Sequence, residues 1–244
     1  MKEHNSVYLA WQSPESRDWH VVGALFETNR GYEFRYTKGA LVSDKFVPFS
    51  GMDDLYKSYI SEELFPLFRN RILSNKRPEY PKFIKWLGLE QEGITPVDIL
   101  ARSGAQRGTD QLQMFQKISV SETGDYEHYF FAHGLSHLTR SANKRVESLE
   151  KGEKLRLCLD CQNAYDQEAV LIRADNPAEI LGYCPRYLAK DISLLLKNSE
   201  YLDVFVEMSS EDAPTSYKLM CKVVGRVDLS KYCYKLDDEY EFTF

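Results

Sequence analysis

The sequence predicts an α+β, β-rich protein of two modules, a small N-terminal β-sheet module with helices and a second β-rich module. An acidic C-terminal tail follows them. Three observations lead there. Strand-like runs fill the first 36 residues and recur beyond residue 126, and in Tyr32–Tyr36 and Lys154–Asp160 apolar and polar residues alternate with the period of half-buried strands. Between them, from 61 to 104, apolar residues recur at helical spacing between capping signals. The polar stretch Val120-Ser-Glu-Thr-Gly-Asp125 separates two apolar runs and marks the boundary. The expected spans are 1–120, 126–230 and 231–244.

Composition narrows the class. A chain of 244 residues can bury a core, and 43% hydrophobic residues exclude a disordered polypeptide. No run of about 18 apolar residues appears, so no membrane helix is expected. The start, Met1-Lys-Glu-His-Asn-Ser6, lacks an apolar signal region, so an intracellular, cytoplasmic location is the expectation. Five cysteines, an odd number, argue against a disulfide framework. The net charge of −6, concentrated partly at Asp237, Asp238, Glu239 and Glu241, argues against a broad duplex binder.

Ser6–Trp11 reads as a strand, Pro14–Asp18 as a hairpin turn, Trp19–Phe26 as the return strand and Tyr32–Tyr36 as a third. Leu64, Phe65, Phe68 and Ile72 then repeat at helical spacing, with Pro66 setting the helix start. Pro81–Leu87 gives a short helix stopped by Gly88. Thr95-Pro-Val-Asp98 is an N-cap signature, and Gly104 ends that helix.

In the second half, strands are expected at 127–135, 154–160, 168–173, 179–184, 201–208 and 216–227, with a helix near 186–197. Between the second and third of them lies Gln162-Asn-Ala-Tyr-Asp-Gln167, whose Asn163 and Asp166 are turn-forming types. That connection offers an aromatic ring and a carboxylate side by side.

Catalytic and metal chemistry find little support. No Gly-rich phosphate loop is present. Cys158 and Cys161 have CxxC spacing, but residues three apart on a strand face opposite ways, which disfavours zinc. His133 and His137 are four apart without further ligands, so His133 reads as a satisfied, partly buried histidine and His137 as a surface one. All cysteines sit in apolar, strand-like settings, where a thiol is inert. No enzyme activity, metal or cofactor is expected. For Tyr165 and Tyr183, packing a ring on a neighbour is the commoner role, and stacking an unpaired base the alternative.

The second half resembles the HIRAN domain, found in DNA-repair helicases and alone in bacterial proteins. The matching residues are Phe130-Phe-Ala-His-Gly-Leu135, Asn163-Ala-Tyr-Asp166 with Ala169-Val170, and Leu181-Gly-Tyr183 with Pro185-Arg186 and Leu188-Ala189. The resemblance implies an OB-like small β-barrel that grips the 3′ end of single-stranded DNA. It implies that Tyr165 stacks on the terminal base, Asp166 meets the 3′ hydroxyl and Arg186 contacts phosphate, with Asn163 at the turn. Tyr183 and His137 complete the implied site. Two departures stand out. Ser136-His137-Leu138 replaces an Arg-Tyr-Tyr run of the family, and Ala164 replaces the turn proline, which should loosen the turn.

The first half is similar, more loosely, to the small N-terminal subdomain of HipA-type kinases, through Val22-Gly23, Phe34-Arg-Tyr36 and Leu64-Phe-Pro-Leu-Phe68. No kinase lobe follows. That resemblance implies a competing function, a regulatory module of a HipA-like toxin–antitoxin type system that binds a protein partner through this half. A surface patch of Phe65, Phe68 and Trp86 would support it.

Overall fold

Three apolar strand runs separated by polar turns organise the first 36 residues into a meander. In the computed structural model, which describes residues 5–89, 93–230 and 238–244, β1 (Ser6–Gln12), β2 (Trp19–Thr28) and β3 (Gly31–Tyr36) pair antiparallel in sequence. Two short strands complete this sheet, β4 (Tyr59–Ser61) beside β3 and β5 (Leu112–Phe115) beside β1. The order is β4-β3-β2-β1-β5. Val7, Leu9, Leu25, Phe34 and Tyr36 from the sheet pack with Phe68, Val97, Leu100 and Met114 in one core. The buried Tyr36 hydroxyl donates to the Met52 carbonyl at 2.7 Å and accepts from Phe49 N–H at 2.8 Å, so its burial leaves nothing unpaired.

Three helices follow, α1 (Pro66–Arg69), α2 (Tyr80–Trp86) and α3 (Pro96–Ser103), of which α1 and α3 contribute to this core. The α3 cap is reciprocal. Thr95 Oγ1 accepts from Asp98 N–H at 3.2 Å, and the Asp98 carboxylate accepts from Thr95 N–H at 2.9 Å. Helix α1 has only four residues, shorter than the Leu64–Ile72 spacing suggests. Phe68 is fully buried and Phe65 packs against the same core, so the expected surface patch of Phe65, Phe68 and Trp86 does not form.

The chain divides into two units, one built from residues up to 117 with the C-terminal segment, the other from Ile118 onward. The expected acidic tail therefore needs correction at its described end. Residues 238–244 pack on the first unit, with Tyr240 buried against Tyr8 and Phe115 and Phe242 bridging Thr37. Burial of the Tyr240 ring and half-burial of Phe242 anchor this end of the chain. Residues 231–237 lie outside the described residues.

The second unit is a six-stranded antiparallel sheet in the order β6-β11-β10-β7-β8-β9. Its strands are β6 (Asp125–Phe131), β7 (Lys154–Leu159), β8 (Val170–Asp175), β9 (Ala178–Tyr183), β10 (Ser199–Ser209) and β11 (Leu219–Val227). Helix α4 (Arg140–Glu147) follows β6, and α5 (Arg186–Asn198) joins β9 to β10. Just beyond β6, His133 and Tyr183 exchange N–H···O bonds of 2.8 and 2.9 Å, so the two edges meet at one bridge. The architecture is OB-like and curves back on itself there without a full closing ladder. Gly182 makes the meeting possible: at φ 127° it lies where a Cβ would come within 2.4 Å of the His133 carbonyl oxygen. Leu188, Ala189, Ile192 and Leu195 form the buried stripe of α5.

Candidate nucleic-acid interface

Strand β7 ends at Leu159, and the chain then turns through 160–169 before β8. Asp160 starts the turn as an extension of the ladder, donating its N–H to the Ala169 carbonyl at 2.9 Å and accepting from Asn163 N–H at 2.9 Å. Asn163 Oδ1 then accepts from two successive backbone groups, Tyr165 N–H at 3.0 Å and Asp166 N–H at 3.1 Å. Asp166 repeats the device on Glu168 N–H at 3.0 Å, while its carbonyl accepts from Ala169 N–H. The turn is held by side-chain acceptors on Asn163 and Asp166, with Ala164 between them.

Helix α5 supplies a second restraint. Arg186, its first residue, donates from Nη2 to the Tyr165 carbonyl at 2.7 Å and places Nε 3.4 Å from an Asp166 carboxylate oxygen. With its backbone held on both sides, Tyr165 projects outward at 86% exposure. The packing role favoured for this tyrosine on general grounds is not the one it takes. An exposed ring on a fixed backbone loses little freedom when a planar ligand stacks on it.

Tyr183 ends β9 and takes the other role. It is half-buried, and its hydroxyl donates to the Asp160 carboxylate at 3.1 Å. Burial and this carboxylate together push its phenol above the ordinary range. Its ring lies beside Gly134, where a Cβ would sit 3.6 Å from Cδ2. Asn163, Tyr165, Asp166, Tyr183 and Arg186 thus form one hydrogen-bonded cluster.

His137 is not joined to it. It closes a short 3₁₀ turn, Leu135–His137, with an exposed side chain. His133 is half-buried, as expected, with its ring 6.2 Å from that of Tyr187 and its pKa lowered to about 4 by desolvation. Asp160 is the residue that sequence reasoning missed. Its spacing from Asn163, the three residues of an Asx-type turn, was the available signal.

The cysteines need a second correction. Cys184 and Cys221 are buried with thiol pKa values raised by desolvation, that of Cys221 to about 12, but Cys158 and Cys161 are exposed. Cys158 points from the outer face of β7 and Cys161 lies in the turn, so neither has an apolar setting. Cys233 lies outside the described residues. Among the described residues, no group of three or more His, Cys, Asp or Glu side chains could hold a metal ion, and no helix is long and apolar enough to cross a membrane.

The family model for the HIRAN domain matches residues 125–228, the second unit almost end to end. Among solved structures, the HIRAN domain of human HLTF is similar at 15% identity, covering 44% of this chain and 79% of its own, with a TM-score of 0.34. A Lactobacillus plantarum protein is similar at 18% identity, covering 43% of this chain and 100% of its own, with a TM-score of 0.36. No curated protein matches.

Proposed function

We propose that the HIRAN domain at 125–228 of this chain binds single-stranded DNA by its 3′ end, in a DNA-repair, mobile-element or defence setting. The observation that carries this reading is the exposed ring of Tyr165 on a rigid turn whose next residue is a carboxylate clamped by Arg186. A terminal base stacks on the Tyr165 ring. Asp166 has lone pairs left beyond its bonds to Glu168 N–H and Arg186, and one accepts the proton of a free 3′ hydroxyl. A 3′ phosphate brings negative charge to the same carboxylate and is repelled. Arg186 offsets the charge of the last internucleotide phosphate. Nothing in this scheme breaks or forms a covalent bond, so the domain acts as a binder rather than an enzyme.

Fluorescence polarisation with oligonucleotides ending in 3′-OH or 3′-phosphate tests the reading. The 3′-OH strand should bind more tightly, and Tyr165→Ala should weaken it by about 1–3 kcal/mol, roughly 5- to 150-fold. Equal affinity for the two ends, or no binding at micromolar protein, would overturn it.

A second reading concerns the first unit, which exposes Val42, Val47, Tyr56 and Ile60 and so offers apolar surface to a protein partner. Ile60 lies on the short edge strand β4. Ile60→Lys should abolish co-purification of such a partner without changing oligonucleotide affinity.

A further inference from the structure

We propose that Asp160 is a positioning residue of this site, orienting the Asn163 amide and the Tyr183 phenol and, through Asn163, the direction in which Tyr165 and Asp166 are presented. The binding consequence rests on the 3′-end reading; the orienting role does not.

One carboxylate oxygen of Asp160 lies 2.9 Å from Asn163 Nδ2 and 3.1 Å from the Tyr183 hydroxyl. An ionised carboxylate only accepts hydrogen bonds, so both groups facing it must donate. For Asn163 this favours one orientation of the amide. Its NH₂ end turns to Asp160, and its oxygen is left for the N–H groups of Tyr165 and Asp166. With the amide reversed, NH₂ would face two N–H donors, and the turn would lose both bonds. The two N–H groups favour this orientation from one side of the amide, and Asp160 reinforces it from the other.

Asp160 is itself well fixed. Its own N–H and C=O are bonded to Ala169 and Asn163, and Tyr183 is held by its two-way backbone bridge to His133. The carboxylate therefore transmits the position of the β9 edge to the turn. A carboxylate that merely stabilised the strand end would need neither contact.

Asp160→Ala is the test, because it removes the one oxygen that accepts from both Asn163 and Tyr183. In the free full-length protein, the amide protons of Tyr165 and Asp166 should move upfield as their hydrogen bonds weaken, with the thermal midpoint little changed. Affinity for a 3′-OH oligonucleotide should fall about tenfold, the scale of one lost hydrogen bond. In a Tyr165→Ala background the same change should cost clearly less than in the wild type, because the ring it positions is gone and only the placing of Asp166 is left. The exchanged pair, Asp160→Asn with Asn163→Asp, should recover both the amide shifts and the affinity, since the donor and acceptor ends match again. It also keeps the test open if the single variant folds poorly. Unchanged amide shifts in Asp160→Ala, or an equal loss with and without Tyr165, would overturn the proposal. If the wild type binds no oligonucleotide, the amide shifts still decide whether Asp160 orients the turn, and only the 3′-end reading falls.

Discussion

A guanidinium serves two acceptors at once because its donors lie in a fixed plane, and Arg186 uses this to reach both the Tyr165 carbonyl and the Asp166 carboxylate. Arg186→Lys keeps the charge but replaces the fork with a point donor. The lysine variant should retain the salt dependence of binding while losing roughly tenfold in affinity and much of the preference for a 3′ hydroxyl. Affinities at two salt concentrations check this, and wild-type behaviour would mean that the clamp contributes nothing. His133 gives a pH prediction. Its folded pKa of about 4 lies below the unfolded value near 6.5, so the stability it contributes is complete above 6.5. That stability is lost as pH falls toward 4, by up to about 3 kcal/mol. Urea denaturation between pH 7.5 and 5 should show the slope, and His133→Gln, which spares the backbone bridge, should flatten it.

Among the elements, the meeting of the β6 and β9 edges depends on one residue. Gly182→Ala would place a Cβ 2.4 Å from the His133 carbonyl at a φ that disfavours any side chain, so strand β9 must shift. The variant should lose more than about 1–3 kcal/mol and should also weaken oligonucleotide binding, because Tyr183 moves with the strand. Denaturation and polarisation on one preparation check both. Strands β3 and β7, which alternate, and β1 and β2, apolar runs on either side of a polar turn, were legible in the sequence, as were the cap of α3 and the buried stripe of α5. The misses have physical causes. Strand β4 has three residues, too few to show a period, and all four of β5 are buried, so no alternation exists to read. Helix α4 buries only Ala142, Arg145 and Val146, which leaves almost no apolar pattern. At the site, the turn residues were legible from a short motif. The role of Asp160 was not, because its partner Tyr183 lies 23 residues away and meets it only through the pairing of β7, β8 and β9.

At the scale of the whole molecule, the second unit is inserted in sequence between two parts of the first, since 238–244 returns to the N-terminal sheet. This segment acts as a strap. Tyr240 is buried beside Tyr8 and Phe115, the Arg35 guanidinium lies 5.3 Å from the Phe242 ring centroid, and Thr243 N–H donates to the Tyr36 carbonyl. The Glu239 carboxylate accepts from Val21 N–H at 3.1 Å and lies 3.0 Å from His20 Nδ1. Losing one buried aromatic costs about 3–5 kcal/mol in well-packed sites, so Tyr240→Ala should lower the first unit's melting midpoint. Oligonucleotide affinity should stay unchanged, because every residue of the candidate site belongs to the second unit. The strap also carries a pH dependence opposite in sign to that of His133. The hydrogen bond to Glu239 raises the His20 pKa above its ordinary value, so its contribution is complete below about 6.5 and is lost as pH rises through the folded value. The hydrogen-exchange protection factor of the Val21 amide should therefore decline above neutrality in the intact chain. Glu239→Gln should remove that decline, since an uncharged amide no longer favours the protonated imidazole. A Val21 protection factor that is flat with pH in the wild type, or equally pH-dependent in Glu239→Gln, would mean that the pair does not hold the strap.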